Sequence, residues 1–374
     1  MNIQKENQKE KILQVGVSKK RSGGTFLLVV LPLGLIFLAW FLAVKKDEKA
    51  NSMKIAGAED AQIQFQENTA LGSEESIENK GDNFFEGVVS EKLVIDEPDA
   101  PTKVEGVGNF YTRSKSAIAI DAKTGTILHY QDAKKKTAIA SLTKIMTAMV
   151  VIDGIENLEE EIVEIDGETL LTIGTRVGCP RSGYCISNRL QKGEKISAKF
   201  LLEAVLMNSA NDAATALARH IAGSEKDFAF LMNKKAKEIG LLDTNFCNPT
   251  GLDEEDRPGG CYSTALDVAK IGAYSLQYEE IWSIMKIKEK FIYSADGKIE
   301  HKIINTDLLL EQMDNCLGGK TGFTYEAGRS LMTAAHDPKN KDNIIVAVIL
   351  DNVYRWEDMK DLINWVFSVY YWEK

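Results

Sequence analysis

Histidine is scarce in this chain, and what it lacks narrows the chemistry. Among 374 residues only His129, His220, His301 and His336 occur, and none of them clusters with the five cysteines. No two cysteines have Cys-x-x-Cys spacing, so a structural or catalytic zinc site is not expected. No His–Asp pair of the kind that activates a serine or cysteine is evident, and no cofactor motif stands out. The chain also lacks a basic field: its formal net charge is −10, with 45 Lys+Arg against 55 Asp+Glu. That argues against a nucleic-acid partner.

The charge imbalance is local. Residues 47–99 hold fourteen acids and four lysines, a net of −10, so the remainder of the chain sums to zero. High net charge with low hydrophobicity cannot offset the entropy of ordering, and residues 45–108 are expected to form an acidic disordered linker. Ahead of it, residues 23–44 (GGTFLLVVLPLGLIFLAWFLAV) contain no charge. At helical rise such a run spans about 30 Å, the thickness of a bilayer core. The apolar core exceeds that of a cleaved signal peptide, so an uncleaved transmembrane signal anchor is expected. Residues 1–22 carry six basic side chains against two acidic ones, and four lysines follow the run. That bias favours a cytoplasmic tail, with the remaining chain outside the cell membrane.

The folded region is expected over 109–374. Ala117–Ile120 and Thr126–Tyr130 read as strands joined through a turn that ends in Gly125. Residues 157–196 look irregular. A helical block follows, with Ser197, Ser224 and Thr264 as N-caps, Asn211–Ala222 as a second helix and a stop at Gly240. Phe291–Tyr293 and Ile299–Ile304 flank a hairpin turn, and Gly328–Ala335 and Asn343–Leu350 read as further strands. A last helix is expected over Trp356–Tyr371. Early strands, a helical middle and late strands predict one α+β domain, an antiparallel sheet with flanking helices and a helical subdomain.

Three short motifs sit in this frame. Ser141-x-x-Lys144 opens an amphipathic helix, which places both side chains on one face. Ser209-Ala210-Asn211 falls between two helices. Lys320-Thr321-Gly322 lies in the late strand region. Singly each is weak. Ser283-x-x-Lys286 and Lys123-Thr124-Gly125 repeat two of them, and a helix cap alone explains Ser209. As an ordered set the three match penicillin-recognising serine enzymes, and both repeats fall outside that order.

The chain thereby resembles the D-alanyl-D-alanine carboxypeptidases, low-molecular-mass penicillin-binding proteins of the S11 serine peptidase class. SLTKIMTA, NSANDAATALA, TNFCNPTGLD, YSTALDVAKI and GGKTGFTYEAGRSL resemble family blocks in family order. The resemblance implies a fold like that of penicillin-binding proteins and β-lactamases. It implies Ser141 as acyl-ester nucleophile, Lys144 as proton acceptor, and Ser209 and Asn211 as second-motif residues. Lys320, Thr321 and Gly322 would bind substrate, and the backbone N–H groups of Ser141 and Phe323 would form an oxyanion hole. Arg355 resembles a family arginine that holds the substrate carboxylate; the alternative is a surface arginine. The implied substrates are peptidoglycan stem peptides, with β-lactams as inhibitors.

The residues support this chemistry on their own terms. A serine needs a base, and Lys144 can serve only while neutral. Burial and a second cation such as Lys320 would both lower its pKa. Other readings remain: a D,D-endopeptidase acting on peptide cross-links, a β-lactamase, and an inactive penicillin-binding scaffold. No Glu-x-x-x-Asn stretch appears around Glu238–Asn248 to serve a β-lactamase, and the intact motif set argues against the scaffold. Finally, Cys247 and Cys261 bracket a loop whose closure is expected to be covalent; Cys179–Cys185 is a second candidate bridge, leaving Cys316 free.

Overall fold

The computed structural model describes residues 100–181, 183–254 and 259–372. The expected transmembrane segment 23–44 and most of the linker lie outside them. Among the described residues no helix is long and apolar enough to cross a membrane.

The strands are β1 (Thr102–Lys103), β2 (Ser116–Asp121), β3 (Ile127–Gln131), β4 (Ile162–Glu164), β5 (Lys195–Ser197) and β6 (Glu289–Tyr293). They continue with β7 (Glu300–Ile304), β8 (Cys316–Thr324), β9 (Gly328–His336), β10 (Ile344–Leu350) and β11 (Tyr370–Tyr371). Five of them form one antiparallel sheet in the order β3-β2-β10-β9-β8. Each central strand is apolar on both faces. Ile118, Ile120, Val346 and Val348 point into the larger core with the helices, whereas Ala117, Ala119, Ile345 and Ile349 meet the C-terminal helix on the other side. The two-residue period of a strand thus feeds two cores from one run of apolar residues.

The helices are α1 (Lys144–Gly154), α2 (Ala198–Leu206), α3 (Asn211–Ala222), α4 (Glu225–Glu238), α5 (Ala265–Ser275), α6 (Glu279–Met285) and α7 (Arg355–Val369). The expected caps form: Ser197, Ser224 and Thr264 each accept a backbone N–H three residues on. Gly223 then ends α3 in a left-handed conformation. Both expected disulfides, Cys179–Cys185 and Cys247–Cys261, are present and Cys316 is free.

The sequence expectations need four corrections. The β6–β7 hairpin does not join the main sheet but forms a two-stranded sheet of its own. Its alternation specifies one buried face, not the partner that covers it. Within the stretch expected to be irregular, β4 pairs with β5 over three residues, too short a run to announce itself. The linker is ordered at its C-terminal end: the acidic run stops at Asp99, and Thr102 and Lys103 pair with Tyr371 and Tyr370. Lastly, α7 starts one residue earlier than expected and ends at Val369, since Tyr370 and Tyr371 turn to pair with β1.

Candidate active site

Ser141 lies in a single 3-10 turn, Ala140–Thr143, that feeds directly into α1. Ala140 adopts a left-handed conformation with φ 49°, which costs a non-glycine residue roughly 1 kcal/mol or more. A glycine packed against it maintains that strain: a Cβ on Gly251 would lie 1.9 Å from Ala140 O. The turn presents Ser141 at the head of a helix, where backbone N–H groups have no intrahelical partner.

Lys144 is wholly buried, and its Nζ meets three oxygens: Ser141 Oγ at 2.9 Å, Asn211 Oδ1 at 2.7 Å and Thr250 O at 2.6 Å. The Asn211 amide is oriented by its own Nδ2, which donates to Ile173 O at 2.7 Å. Asn211 Oδ1 and Thr250 O can only accept. A neutral amine has two hydrogens, and these two acceptors take both. The lone pair is then left for the Ser141 hydroxyl. Burial, reinforced by Lys320 and opposed by Asp212, holds Lys144 well below the ordinary lysine range.

Thr250 is delivered by a tight loop. Asn248 Oδ1 accepts from Thr250 Oγ1 at 2.8 Å and Gly251 N at 2.8 Å, and Thr147 Oγ1 donates to Pro249 O at 2.7 Å. The Cys247–Cys261 bridge closes the base of this loop.

Between α2 and α3, Ser209 takes φ 57°. It is held there because Thr175 Oγ1 donates to its carbonyl at 2.5 Å and Asn211 N donates to Thr175 O at 2.8 Å. Its hydroxyl accepts from Lys320 Nζ at 2.8 Å. Gly174 allows the loop to pass, since a Cβ there would meet Asn211 Nδ2 at 2.5 Å.

The third motif sits inside β8, the edge strand of the main sheet, rather than at its start. Lys320 is fully buried, and burial followed by Arg355 brings its ammonium down to about 7, against the pull of Asp307. Thr321 Oγ1 shares a hydrogen bond of 2.7 Å with Thr306 Oγ1. Gly322 is required by proximity: a Cβ would lie 2.9 Å from Ile139 O and 3.4 Å from Ser141 N. Phe323 is 56% exposed beside Tyr325 at the rim. Arg355, at the first turn of α7, is no surface arginine. Its Nη1 donates to Gly322 O at 3.0 Å and Ser330 O at 3.2 Å, and its Nε is buried without a partner.

The fold therefore gathers every motif residue expected from the sequence into one cleft between β8, the Ser141 turn and the α2–α3 loop. The repeats stay out. Lys123-Thr124-Gly125 forms a hairpin turn with Thr124 held by Asp121 Oδ1, and exposed Ser283 donates to Glu280 O at 2.9 Å. Sequence reasoning passed over Thr250, Thr306 and Asp307. Asn248-Pro-Thr-Gly251 carries a turn signal, but nothing local says that its carbonyl will bind Lys144.

A serine whose hydroxyl faces a buried lysine held well below its ordinary pKa, beside a second Ser–Lys pair and an edge strand, defines a serine acyl-transfer centre. Residues 103–353 match the model of the D-alanyl-D-alanine carboxypeptidase (S11 peptidase) family, and the chain belongs to that family. It is 31% identical over 281 residues to the D-alanyl-D-alanine carboxypeptidase DacF of Bacillus subtilis, covering 74% of this chain and 69% of that one. It is 29% identical over 290 residues to a D-alanyl-D-alanine endopeptidase of Escherichia coli, covering 76% and 88%. Among solved structures it is similar to a D-alanyl-D-alanine carboxypeptidase of Mycobacterium tuberculosis, with a TM-score of 0.62, 26% identity and coverage of 72% and 96%.

Proposed function

We propose that this chain is a serine D-Ala-D-Ala carboxypeptidase that removes the terminal D-alanine of peptidoglycan stem peptides through an acyl-enzyme on Ser141. One observation carries the reading: the Nζ of wholly buried Lys144 lies 2.9 Å from Ser141 Oγ.

In the proposed reaction Ser141 Oγ attacks the penultimate carbonyl carbon as Lys144 Nζ takes its proton. The N–H groups of Ser141 and Phe323 receive the oxyanion. Ser209 Oγ, with the Lys320 ammonium behind it, delivers a proton to the departing amine of D-alanine and is reprotonated at the expense of Lys144, which becomes neutral again. Water then adds to the ester as neutral Lys144 takes its proton, and that proton passes to Ser141 Oγ as the ester bond breaks, releasing Ser141 and the shortened peptide acid. Lys320, Thr321 and Arg355 attract the terminal carboxylate. The free edge of β8 accepts the peptide as an added strand. A β-lactam would acylate Ser141 by the same attack.

The test is incubation of the domain with a stem pentapeptide. Release of free D-alanine supports the reading; a pentapeptide left intact by an enzyme that binds penicillin covalently contradicts it. The E. coli relative named an endopeptidase sustains a second reading, cleavage of peptide cross-links. Cross-linked muropeptide in the same assay separates the two: monomers without D-alanine release favour the endopeptidase.

We further propose that residues 23–44 anchor the chain in the cell membrane, with 45–99 as a tether. The support is the uncharged apolar run of 22 residues followed by the acidic stretch. Fractionation of the full chain and of a form lacking 1–44 tests it: both in the soluble fraction would exclude the anchor.

A further inference from the structure

Residues 173–177 are laced to the second motif. Asn208 Nδ2 donates to Arg176 O and Asn211 Nδ2 to Ile173 O, each at 2.7 Å. Thr175 is gripped twice: its carbonyl accepts from Asn211 N, and its hydroxyl donates to Ser209 O. Val177, the last residue of the segment, is fully buried. Its backbone N–H donates to the carboxylate of Asp212, 3.0 Å from Oδ1 and 3.3 Å from Oδ2. Asp212 is 1% exposed and sits in the first turn of α3, where Oδ1 also accepts from Ala213 N at 2.9 Å. Of the bonds that hold the segment this one has a charged acceptor, and such bonds are roughly twice as strong as neutral ones. Burial pushes the carboxyl up to about 6, against the pull of the Val177 and Ala213 N–H groups and of Arg176 and Arg189, so it is ionised at neutral pH.

We propose that Asp212 is a positioning residue for acyl transfer: it bolts residues 173–177 to the head of α3, and that segment holds Ser209 and Asn211 in their working orientations. The proposal rests on the carboxypeptidase reading for its substrate. Ser209 keeps φ 57° because Thr175 holds its carbonyl, and Asn211 turns Oδ1 to Lys144 because Ile173 O fixes its amide. Without the carboxylate the buried Val177 N–H has no acceptor, and the segment must shift to satisfy it. Ser209 and Asn211 shift with it. None of the hydrogen bonds of Asp212 reaches a motif side chain, so its effect passes through the segment.

The test measures stem-pentapeptide kinetics and labelling by a fluorescent penicillin for the wild type, Asp212→Ala, Asp212→Asn, Thr175→Val and the double variant Asp212→Ala/Thr175→Val. Asp212→Ala should lower kcat about tenfold or more, as a small misplacement of catalytic groups does, with KM within about threefold because Lys320 and Arg355 stay in place. Asp212→Asn keeps Oδ1 for Val177 and Ala213 and should recover most of the loss. Thr175→Val cuts the same link from the other end without disturbing a buried charge, so it decides the matter even if Asp212→Ala does not fold. It should lower kcat by a similar factor, and the loss in the double variant should fall short of the product of the two. A folded Asp212→Ala or a Thr175→Val with wild-type kcat overturns the proposal, as does a double variant whose losses multiply. Penicillin labelling should slow in the same order. A wild type that is labelled but releases no D-alanine defeats the carboxypeptidase reading alone, and the labelling rates then decide the role of Asp212.

Discussion

Lys320 on β8 donates to Ser209 on the α2–α3 loop at 2.8 Å, a bond that spans 111 residues of sequence and joins the sheet to the helical side of the cleft. It puts a cation behind the hydroxyl proposed to protonate the leaving group. It also keeps a second positive charge near Lys144 without direct contact. Replacing Ser209 by alanine should lower turnover of pentapeptide by about 100-fold, the lower range for a lost proton donor. Turnover within a few-fold of wild type would remove Ser209 from the reaction.

Lys144→Arg should be nearly as damaging as Lys144→Ala, because a guanidinium retains its proton throughout the accessible pH range. In the unmodified enzyme acylation should rise as Lys144 loses its proton and fall as Lys320 loses its own. Lys320 is held at about 7, so the falling limb should begin near neutrality. Substantial acylation by Lys144→Arg would defeat the general-base assignment.

Gly251→Ala tests how the nucleophile turn is held. The left-handed backbone at φ 76° and the 1.9 Å approach to Ala140 O leave no room for a methyl group. The substitution should cost about 2 kcal/mol or more in stability and displace Thr250 O from Lys144. Denaturant unfolding of the variant at wild-type stability would show that Ala140 needs no such support.

Much of the site was legible in the sequence because its chemistry lies in local motifs whose order survives folding. The caps at Ser197, Ser224 and Thr264 were legible for the same reason: each is a contact three residues long. What escaped depends on distance. Thr250 reaches Lys144 across 106 residues, and the signal is a backbone carbonyl, which no side-chain pattern marks. Ser209 reads as a cap, yet its left-handed backbone is imposed by Thr175 from another loop. The β6–β7 hairpin has a proper turn and alternation, but which sheet a hairpin joins is decided by packing. Arg355 could not be told from a surface arginine until α7 laid it against Gly322 O.

The double change Cys247→Ser/Cys261→Ser should lower stability by about 3 kcal/mol in the chain-entropy account of loop closure. Because Thr250 lies inside the bridged loop, acylation should weaken as well. The readouts are thermal unfolding and penicillin labelling of the oxidised double variant against the oxidised wild type. Unfolding at the wild-type temperature with full labelling would show that Asn248 and Thr147 hold the loop by themselves.

Ser141, and no other serine, is the proposed nucleophile. Peptide mapping of the enzyme trapped with a penicillin measures it directly, by locating the covalent adduct. The expected result is the full mass of the opened β-lactam on the peptide containing Ser141, and no adduct in Ser141→Ala. An adduct on the peptide of Ser209 or Ser283, or labelling that persists in Ser141→Ala, would contradict it.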